Sequence, residues 1–275
     1  MWTMSGFADE IDDDLETQCR TLNHLGVGYI EFRSAWGINV QDLDDSQLKD
    51  ARVILDRHGI ETSSIGSPIG KISITDPFDP HLVRFEKVLK TAQELDAPYV
   101  RLFSFFIPEA DDPDQHRTEV LRRMAALAAL AERYDVVLLH ENEKKIYGDI
   151  PRRCLDIVES VGSASLRLAW DAANFVQCGV RPFTDAYASL GPHLEYIQIK
   201  DAQMSTGAVV PAGEGDGEMV ETVRALLEDG FDGFFSLEPH LKQAGTLGGF
   251  SGPQLFETAH AAFTGILRRE GIDFA

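Results

Sequence analysis

Short runs of β-branched and aromatic residues alternate with longer helical stretches along all 275 residues of this chain. The runs predict eight strands, at residues 3–7, 27–31, 61–65, 99–102, 136–140, 166–170, 196–199 and 233–237. The stretches between them repeat apolar residues every three to four positions, as amphipathic helices do. Because such an alternation implies parallel strands with helices packed outside, the sequence predicts an α/β fold, a single (β/α)8 TIM barrel over residues 1–275.

Capping and turn residues mark the predicted helix ends. Asp12, Ser46 and Pro182 stand where helix-start signals belong. Glycine precedes three of the predicted strands, where a helix must end in a left-handed residue: Gly26, Gly59 and Gly230. An open doubly wound sheet is the competing fold, but no GxGxxG follows the first strand and no GxxxxGKS/T occurs anywhere.

The charge balance restricts the partners. With 45 acidic and 25 basic residues the formal net charge is −20, whereas a protein that neutralises nucleic-acid phosphates needs a basic face. No apolar run approaches the roughly 18 residues of a membrane helix. Residues 1–6 lack the basic region and apolar core of a signal peptide, so we expect a cytoplasmic protein without nucleic-acid or membrane partners.

The three cysteines, Cys19, Cys154 and Cys178, show no CxxC spacing and are expected to be buried as small hydrophobic residues.

Strand alternation sorts the residues near the end of the seventh predicted strand. Ile197 and Ile199 share one face, and Tyr196, Gln198 and Lys200 share the other. The apolar pair is expected to face the helices and the polar set the barrel axis. An inward glutamine and lysine need partners, because burying an unpaired polar or charged group costs several kcal/mol. Carboxylates from neighbouring strands, or a metal ion, would supply them.

Three carboxylates arrive at the same mouth, because the carboxyl ends of barrel strands converge there. Glu141, Asp171 and Glu238 follow the fifth, sixth and eighth predicted strands. They repel one another unless a positive charge lies between them, and hard oxygen ligands suit magnesium or manganese. In the alternative, each carboxylate pairs with a basic residue in a purely structural ion network, the three bases being Arg33, Arg101 and Lys200.

Seven short segments carry a family resemblance. Together they resemble the xylose-isomerase-like TIM barrel superfamily, in particular its sugar phosphate isomerase/epimerase branch, in the same order and over essentially the whole chain. The segments are residues 6–10 (GFADE), 67–71 (SPIGK), 140–143 (HENE), 171–175 (DAANF), 199–201 (IKD), 211–217 (PAGEGDG) and 236–240 (SLEPH).

The resemblance implies one divalent metal ion held by a glutamate, an aspartate, a histidine and a glutamate from the last four strands. These positions correspond to Glu141, Asp171, Gln198 and Glu238, so glutamine stands where the family usually has histidine. An amide oxygen can ligate a hard cation but suits zinc and cobalt poorly. We therefore expect a weaker site that favours manganese or magnesium, or a degenerate site.

The resemblance also implies the chemistry: isomerisation or epimerisation of a small sugar or sugar derivative through a metal-stabilised enediolate. Glu141 and Glu238 would be the catalytic acids and bases. Loss of a β-hydroxyl at the same site would instead give a dehydratase. Five residues are predicted to bind the substrate, although each has a structural alternative such as holding a carboxylate or capping a strand: Lys71, Arg101, Asn174, Lys200 and His240.

Two other functions compete with this one. A DNA-repair nuclease resembling endonuclease IV, from the same superfamily, would need a histidine-rich zinc site and a basic face, whereas here 8 histidines are scattered and the charge is −20. In the second, a non-catalytic sugar-binding barrel, Gln198 would indicate a lost metal site.

The glycine-rich residues 213–217 lack the lysine of a phosphate loop and predict a mobile loop beside the mouth. Members of the resembled family often form dimers or tetramers, so the resemblance implies a possible homo-oligomer, but the sequence identifies no interface.

Overall fold

Eight strands form at the predicted positions, with ends displaced by at most two residues, in a computed structural model that describes residues 1–245 and 248–275. Their bounds are β1 Thr3–Gly6, β2 Tyr29–Phe32, β3 Glu61–Gly66, β4 Tyr99–Leu102, β5 Val137–Glu141, β6 Leu166–Asp171, β7 Leu194–Ile199 and β8 Phe234–Leu237.

The eight strands make one sheet in the order β1-β8-β7-β6-β5-β4-β3-β2, and each neighbouring pair is parallel. The two end strands, β1 and β2, lie beside each other and bring the sheet nearly to closure. The helices are packed around this sheet, so the predicted TIM barrel is confirmed. No helix in the described part of the chain is long and apolar enough to cross a membrane.

Helices follow the strands in turn. Their bounds are α1 Leu15–Leu25, α2 Asp45–His58, α3 Asp79–Glu94, α4 Arg117–Glu132, α5 Pro151–Val161, α6 Ala172–Gln177, α7 Ala188–Leu190, α8 Met219–Glu228 and α9 Pro253–Arg269. Shorter turns of 3-10 helix cover Ala8–Glu10, Pro113–His116 and Gly191–His193, and a π-helix covers Pro182–Tyr187.

The helix boundaries correct two predictions. The N-cap of α1 is Asp14, whose carboxylate accepts from Thr17 N, and Asp12 instead accepts from Asp14 N in the turn before it. Asp44 caps α2 in a capping box, so Ser46 lies inside that helix. Pro182 does begin its helix, and the three predicted glycine stops all have left-handed backbone: Gly26, Gly59 and Gly230 have φ of 75°, 63° and 71°.

The barrel interior is filled in layers. At the level away from the mouth, Leu139, Ala169 and Tyr196 are buried against one another with Tyr99 and Phe234 beside them. Above them the Tyr196 hydroxyl is 2.8 Å from Ser63 Oγ, which is 2.6 Å from Ser5 Oγ. Strand residues two positions further toward the carboxyl ends therefore point into the mouth. As predicted, Ile197 and Ile199 belong to the separate core between the sheet and the helices.

Candidate metal centre

Three buried carboxylates converge at the mouth of the barrel. Glu141 ends β5, Asp171 ends β6, and Glu238 directly follows β8. Their exposed fractions are 1%, 0% and 2%, and one oxygen atom from each lies within 4.8 Å of the other two. Strand register produces this convergence, since all three side chains occupy inward positions just beyond the packed layers of the barrel.

Gln198 lies beside this cluster, because β6 and β7 pair Asp171 with Gln198. Its amide nitrogen donates to both carboxylate oxygens of Glu31, at 3.2 and 3.1 Å. Its Oε1 is fully buried and has no hydrogen-bond partner among the described residues. Such an unsatisfied buried acceptor costs about 1–3 kcal/mol, and a hard cation would satisfy it. The donor set of three carboxylates and one amide oxygen therefore fits manganese or magnesium.

Basic residues also contact these acids, as the alternative ion network predicted. The Lys200 ammonium lies between two carboxylates, and guanidinium groups reach the others. The pairs are Arg101–Glu141 at 2.7 Å, Arg33–Glu238 at 3.1 Å, Lys200–Asp171 at 2.7 Å and Lys200–Glu238 at 2.8 Å. Ion pairing and metal binding are compatible here, because each carboxylate has a second oxygen or a second lone pair available.

Acids nevertheless outnumber bases around the mouth. Among the described residues in this network seven carboxyl groups face four basic side chains, an excess of three: Asp9, Glu10, Glu31, Glu141, Glu143, Asp171 and Glu238 against Arg33, Lys71, Arg101 and Lys200. One divalent cation would offset most of this excess.

Burial raises the pKa of several carboxyl groups in this network. It raises the pKa of Glu31 and of Asp171 to about 7, and it raises that of Glu141 despite the neighbouring Arg101. Glu238 differs: burial again opposes its ionisation, but the charge of Lys200 and contact with His240 hold its pKa well below the usual range. Burial therefore favours the protonated form of Glu31 and of Asp171 up to about pH 7.

Two predicted substrate-binding residues instead orient the acids in this structure. Asn174, in the first turn of α6, donates through its backbone N to Asp171 Oδ1 at 2.9 Å and through Nδ2 to Glu141 Oε1 at 3.0 Å. Arg101 contacts Glu141, and its guanidinium carbon lies 4.7 Å from the Phe103 ring centroid. Their predicted contacts with substrate stay predictions.

The remaining three predicted residues line the same mouth. Lys71 Nζ is 3.3 Å from Glu143 Oε2 and 4.2 Å from the Phe103 ring centroid. Lys200 bridges two acids, as described above. His240 Nε2 lies 3.4 Å from Glu238 Oε1. Four of the five residues predicted to contact substrate thus contact one of the three carboxylates, and Lys71 contacts the neighbouring Glu143.

The sequence assigned no role to Glu31, which orients the Gln198 amide. Strand alternation could have indicated Glu31, because this residue occupies an inward-facing position on β2. Its partner is 167 residues away on a strand across the barrel, so only the closed sheet identifies the contact.

The glycine-rich segment encloses a carboxylate of the chain itself. Asp201 Oδ2 accepts from the backbone of Gly213 and Gly215, at 2.9 and 3.0 Å, and Oδ1 accepts from Gly217 at 2.9 Å. A Cβ on Gly215 would lie 2.4 Å from Asp201 Oδ1, so glycine is required there. These donors serve Asp201, in agreement with the prediction that the segment is not a phosphate loop.

A match to a known family covers most of the chain. A family model described as the xylose isomerase-like TIM barrel matches residues 19–262. The chain belongs to this xylose isomerase-like family.

Similar proteins in this family include sugar epimerases. A 2-epi-5-epi-valiolone 7-phosphate 2-epimerase from Actinoplanes is 30% identical over 179 residues, 64% of this chain and 63% of that protein, so the match spans less than two thirds of its length. A D-psicose 3-epimerase from Enterocloster bolteae is 26% identical over 90% of this chain and 82% of its own. A xylose isomerase-like protein from Mycobacterium smegmatis, solved with magnesium, superposes with a TM-score of 0.68, 20% identity and 97% coverage of both chains.

Proposed function

We propose that this protein is a divalent-metal-dependent isomerase or epimerase of a small sugar or sugar derivative. The observation that supports it most is the buried cluster of Glu141, Asp171 and Glu238, in which one oxygen of each lies within 4.8 Å of the other two. Beside it lies Gln198 Oε1, which has no hydrogen-bond partner in the described part of the chain. Two similar curated proteins carry epimerase names, which fits the same chemistry.

We propose Glu141, Asp171, Gln198 and Glu238 as the residues that hold the metal. A manganese or magnesium ion bound there would polarise adjacent carbonyl and hydroxyl oxygens of a sugar and acidify the C–H bond between them. Asp171 is held by Lys200 and by the start of α6, so it has little freedom to move and suits a purely ligating role.

Glu141 and Glu238 would move the proton. They come from β5 and β8, with two strands between them, and so approach a bound substrate from different sides of the mouth. One carboxylate takes the proton from carbon and the other returns it. Return to the same carbon from the opposite face inverts that centre, and return to the neighbouring carbon isomerises the sugar.

Basic and amide side chains around the acids would select the substrate. Lys71, Asn174 and His240 lie at the mouth and would contact its hydroxyl or anionic substituents. Arg101 and Lys200 would contact the same groups while holding the carboxylates. The mouth is rich in such donors, which suits a polar, oxygen-rich molecule.

Proton exchange tests this function directly. Manganese-loaded protein would be incubated in heavy water with a panel of ketoses, their phosphates and keto-cyclitols, and the loss of C–H signals followed by NMR. We expect metal-dependent exchange with at least one compound, lost in Glu141→Gln and Glu238→Gln and kept in the exposed control Glu257→Gln.

Other outcomes separate the competing functions. A panel member that binds without exchanging any C–H proton would contradict the proposal and favour a non-catalytic barrel. Exchange accompanied by loss of a β-hydroxyl as water would identify a dehydratase using the same site.

A further inference from the structure

A second group of metal-ligand side chains adjoins the first. Glu10 ends the 3-10 turn that follows β1, and His240 follows β8 by three residues. One atom from each of Glu10, Glu238 and His240 lies within 4.8 Å of the other two. The side chains of Glu10 and Glu238 are 0% and 3% exposed, and that of His240 is 9% exposed.

Two atoms of this group lack hydrogen bonds although they are buried. Glu10 Oε1 and His240 Nε2 have no hydrogen-bond partner within residues 1–245 and 248–275. The other oxygen, Glu10 Oε2, accepts from His240 N and from Ser251 Oγ, both at 2.8 Å. The carboxylate is therefore fixed by one oxygen, and the other is left directed at the imidazole.

The separations suit coordination. His240 Nε2 lies 3.3 Å from Glu10 Oε1 and 3.4 Å from Glu238 Oε1. In a tetrahedral site with metal–ligand distances of about 2.0–2.1 Å, two ligand atoms lie about 3.3–3.4 Å apart. Each carboxylate oxygen is thus spaced from the imidazole nitrogen as two ligands of one ion are.

The backbone fixes the imidazole in this position. His240 has φ 48°, in the left-handed region. A Cβ on Gly249 would lie 1.9 Å from His240 Cδ2, so the ring packs directly on a backbone that only glycine allows. The left-handed backbone of His240 is thus held in place by the residues packed around it, as strained residues at ligand sites commonly are.

We propose that Glu10, Glu238 and His240 form a second divalent-cation site next to the first. Glu238 would belong to both sites. Its Oε2 lies on the side of the first site, where Lys200 links it to Asp171, and its Oε1 lies near His240. Because this site includes an imidazole nitrogen, it prefers zinc or cobalt, whereas the oxygen-only first site prefers manganese or magnesium. Arg33 contacts both acids of this site, since its Nη1 donates to Glu238 Oε1 at 3.1 Å and its Nη2 lies 3.9 Å from Glu10 Oε1. Asp9 pairs with the same guanidinium at 2.7 Å and offsets its charge.

Metal stoichiometry tests this inference. Metal-stripped protein would be dialysed to equilibrium against manganese and zinc together and its metal content measured by elemental analysis. We expect two equivalents per chain in the native protein, one in His240→Asn with most of the zinc lost, and one in Asp171→Asn with most of the manganese lost. Asparagine is chosen at 240 because it tolerates left-handed backbone, and the exposed His24→Asn is the control that keeps two.

Two results would overturn the second site: one equivalent in the native protein, or two in a folded His240→Asn variant. Manganese paramagnetic resonance provides a check without any variant. Cobalt added to the manganese-loaded protein would occupy the second site, and coupling through Glu238 would broaden the six-line manganese spectrum. A six-line spectrum that cobalt leaves unchanged would contradict the shared glutamate. Neither result depends on turnover, so this inference can fail while the proposed function stands.

Discussion

Gln198 is held at one end only. Its nitrogen donates to Glu31, and its oxygen is buried beside Asp171 without a hydrogen-bond partner among residues 1–245 and 248–275. The amide orientation matters because only the oxygen end can ligate a cation. At the scale of single residues, position 198 therefore sets which metals the first site accepts, and Glu31 sets whether the glutamine presents the correct atom.

Replacing Gln198 by histidine should strengthen the first site. An imidazole offers a nitrogen ligand, and its other nitrogen can donate to Glu31 as the amide does now. We expect Gln198→His to tighten metal binding by about tenfold or more and to shift preference toward zinc and cobalt. Calorimetric titration measures both effects, with the exposed Gln115→His as control. Unchanged affinity would mean that position 198 does not touch the metal.

Replacing Glu31 by glutamine should weaken the same site without removing a ligand. A Glu31→Gln side chain can present a nitrogen to the Gln198 amide and turn that amide over. Loss of such an orienting partner lowers metal affinity by about 10–100-fold. Manganese affinity would be compared with that of Glu61→Gln, an exposed site on the next strand. Equal affinities would show that Glu31 does not orient the ligand.

Strand alternation is a local property of the sequence. It was therefore sufficient to predict that Gln198 on β7, and Lys200 just after it, face the barrel axis. The partner of Gln198 could not be predicted, because the Glu31 contact depends on how β2 closes across the barrel. Likewise the helix starts were placed two residues late at Ser46 and two early at Asp12, because neighbouring polar residues compete for the cap and only backbone geometry decides.

At the scale of elements, the turns that follow the strands fix the site. The loop after β7 is organised by Asp201, which accepts three glycine N–H groups and lies next to Lys200. The sequence predicted a loop there from its glycine content. The sequence could not show that the loop folds around a carboxylate of the chain itself, because that requires three donors and one acceptor to meet over 12 to 16 residues.

Removing the Asp201 charge should loosen this loop. Asp201→Asn keeps the size but replaces one acceptor oxygen by a donor, and each hydrogen bond to a charged group is worth about 1.5–3 kcal/mol. We expect the free energy of unfolding to fall by about 1–3 kcal/mol, with faster hydrogen exchange at the amides of Gly213, Gly215 and Gly217. Denaturant titration beside the exposed Asp50→Asn checks this. Native protection in Asp201→Asn would contradict it.

At the scale of the whole molecule, carboxyl groups outnumber basic side chains among the described residues at the barrel mouth. The eightfold alternation was sufficient to predict the fold, since the local pattern and the parallel topology agree. The predicted fold implied that the carboxylates converge at the mouth. Their excess over the basic side chains became evident only from the side-chain contacts in the structure. That the chain is one domain and that it forms a homo-oligomer stay predictions.

The raised pKa values of two buried carboxyl groups make the stability of the metal-free protein depend on pH. Burial raises the pKa of Glu31 from 4.5, and that of Asp171 from 3.8, to about 7. A carboxyl with a higher pKa in the folded state stabilises the fold fully below its unfolded pKa, and this contribution is lost as the pH rises through the folded pKa. Unfolding free energy in chelator should therefore fall by about 1–3 kcal/mol between about pH 4.5 and pH 7. Metal ligation requires the ionised carboxylates, so added manganese should raise the melting temperature more at the higher pH.

Urea titrations at both pH values check this dependence. The Asp171→Asn variant, which lacks one of the titrating groups, should show a smaller fall than the native protein. A native stability that rises over this interval would contradict the raised pKa values.

Manganese titration of metal-stripped protein by calorimetry, beside Asp171→Asn, tests the central claim most directly. The predicted result is a site tighter than about 10 μM, roughly 7 kcal/mol of binding free energy, that disappears in the variant. Absence of such a site in the native protein would contradict a metal centre at Glu141, Asp171, Gln198 and Glu238 and leave the carboxylates as a structural ion network.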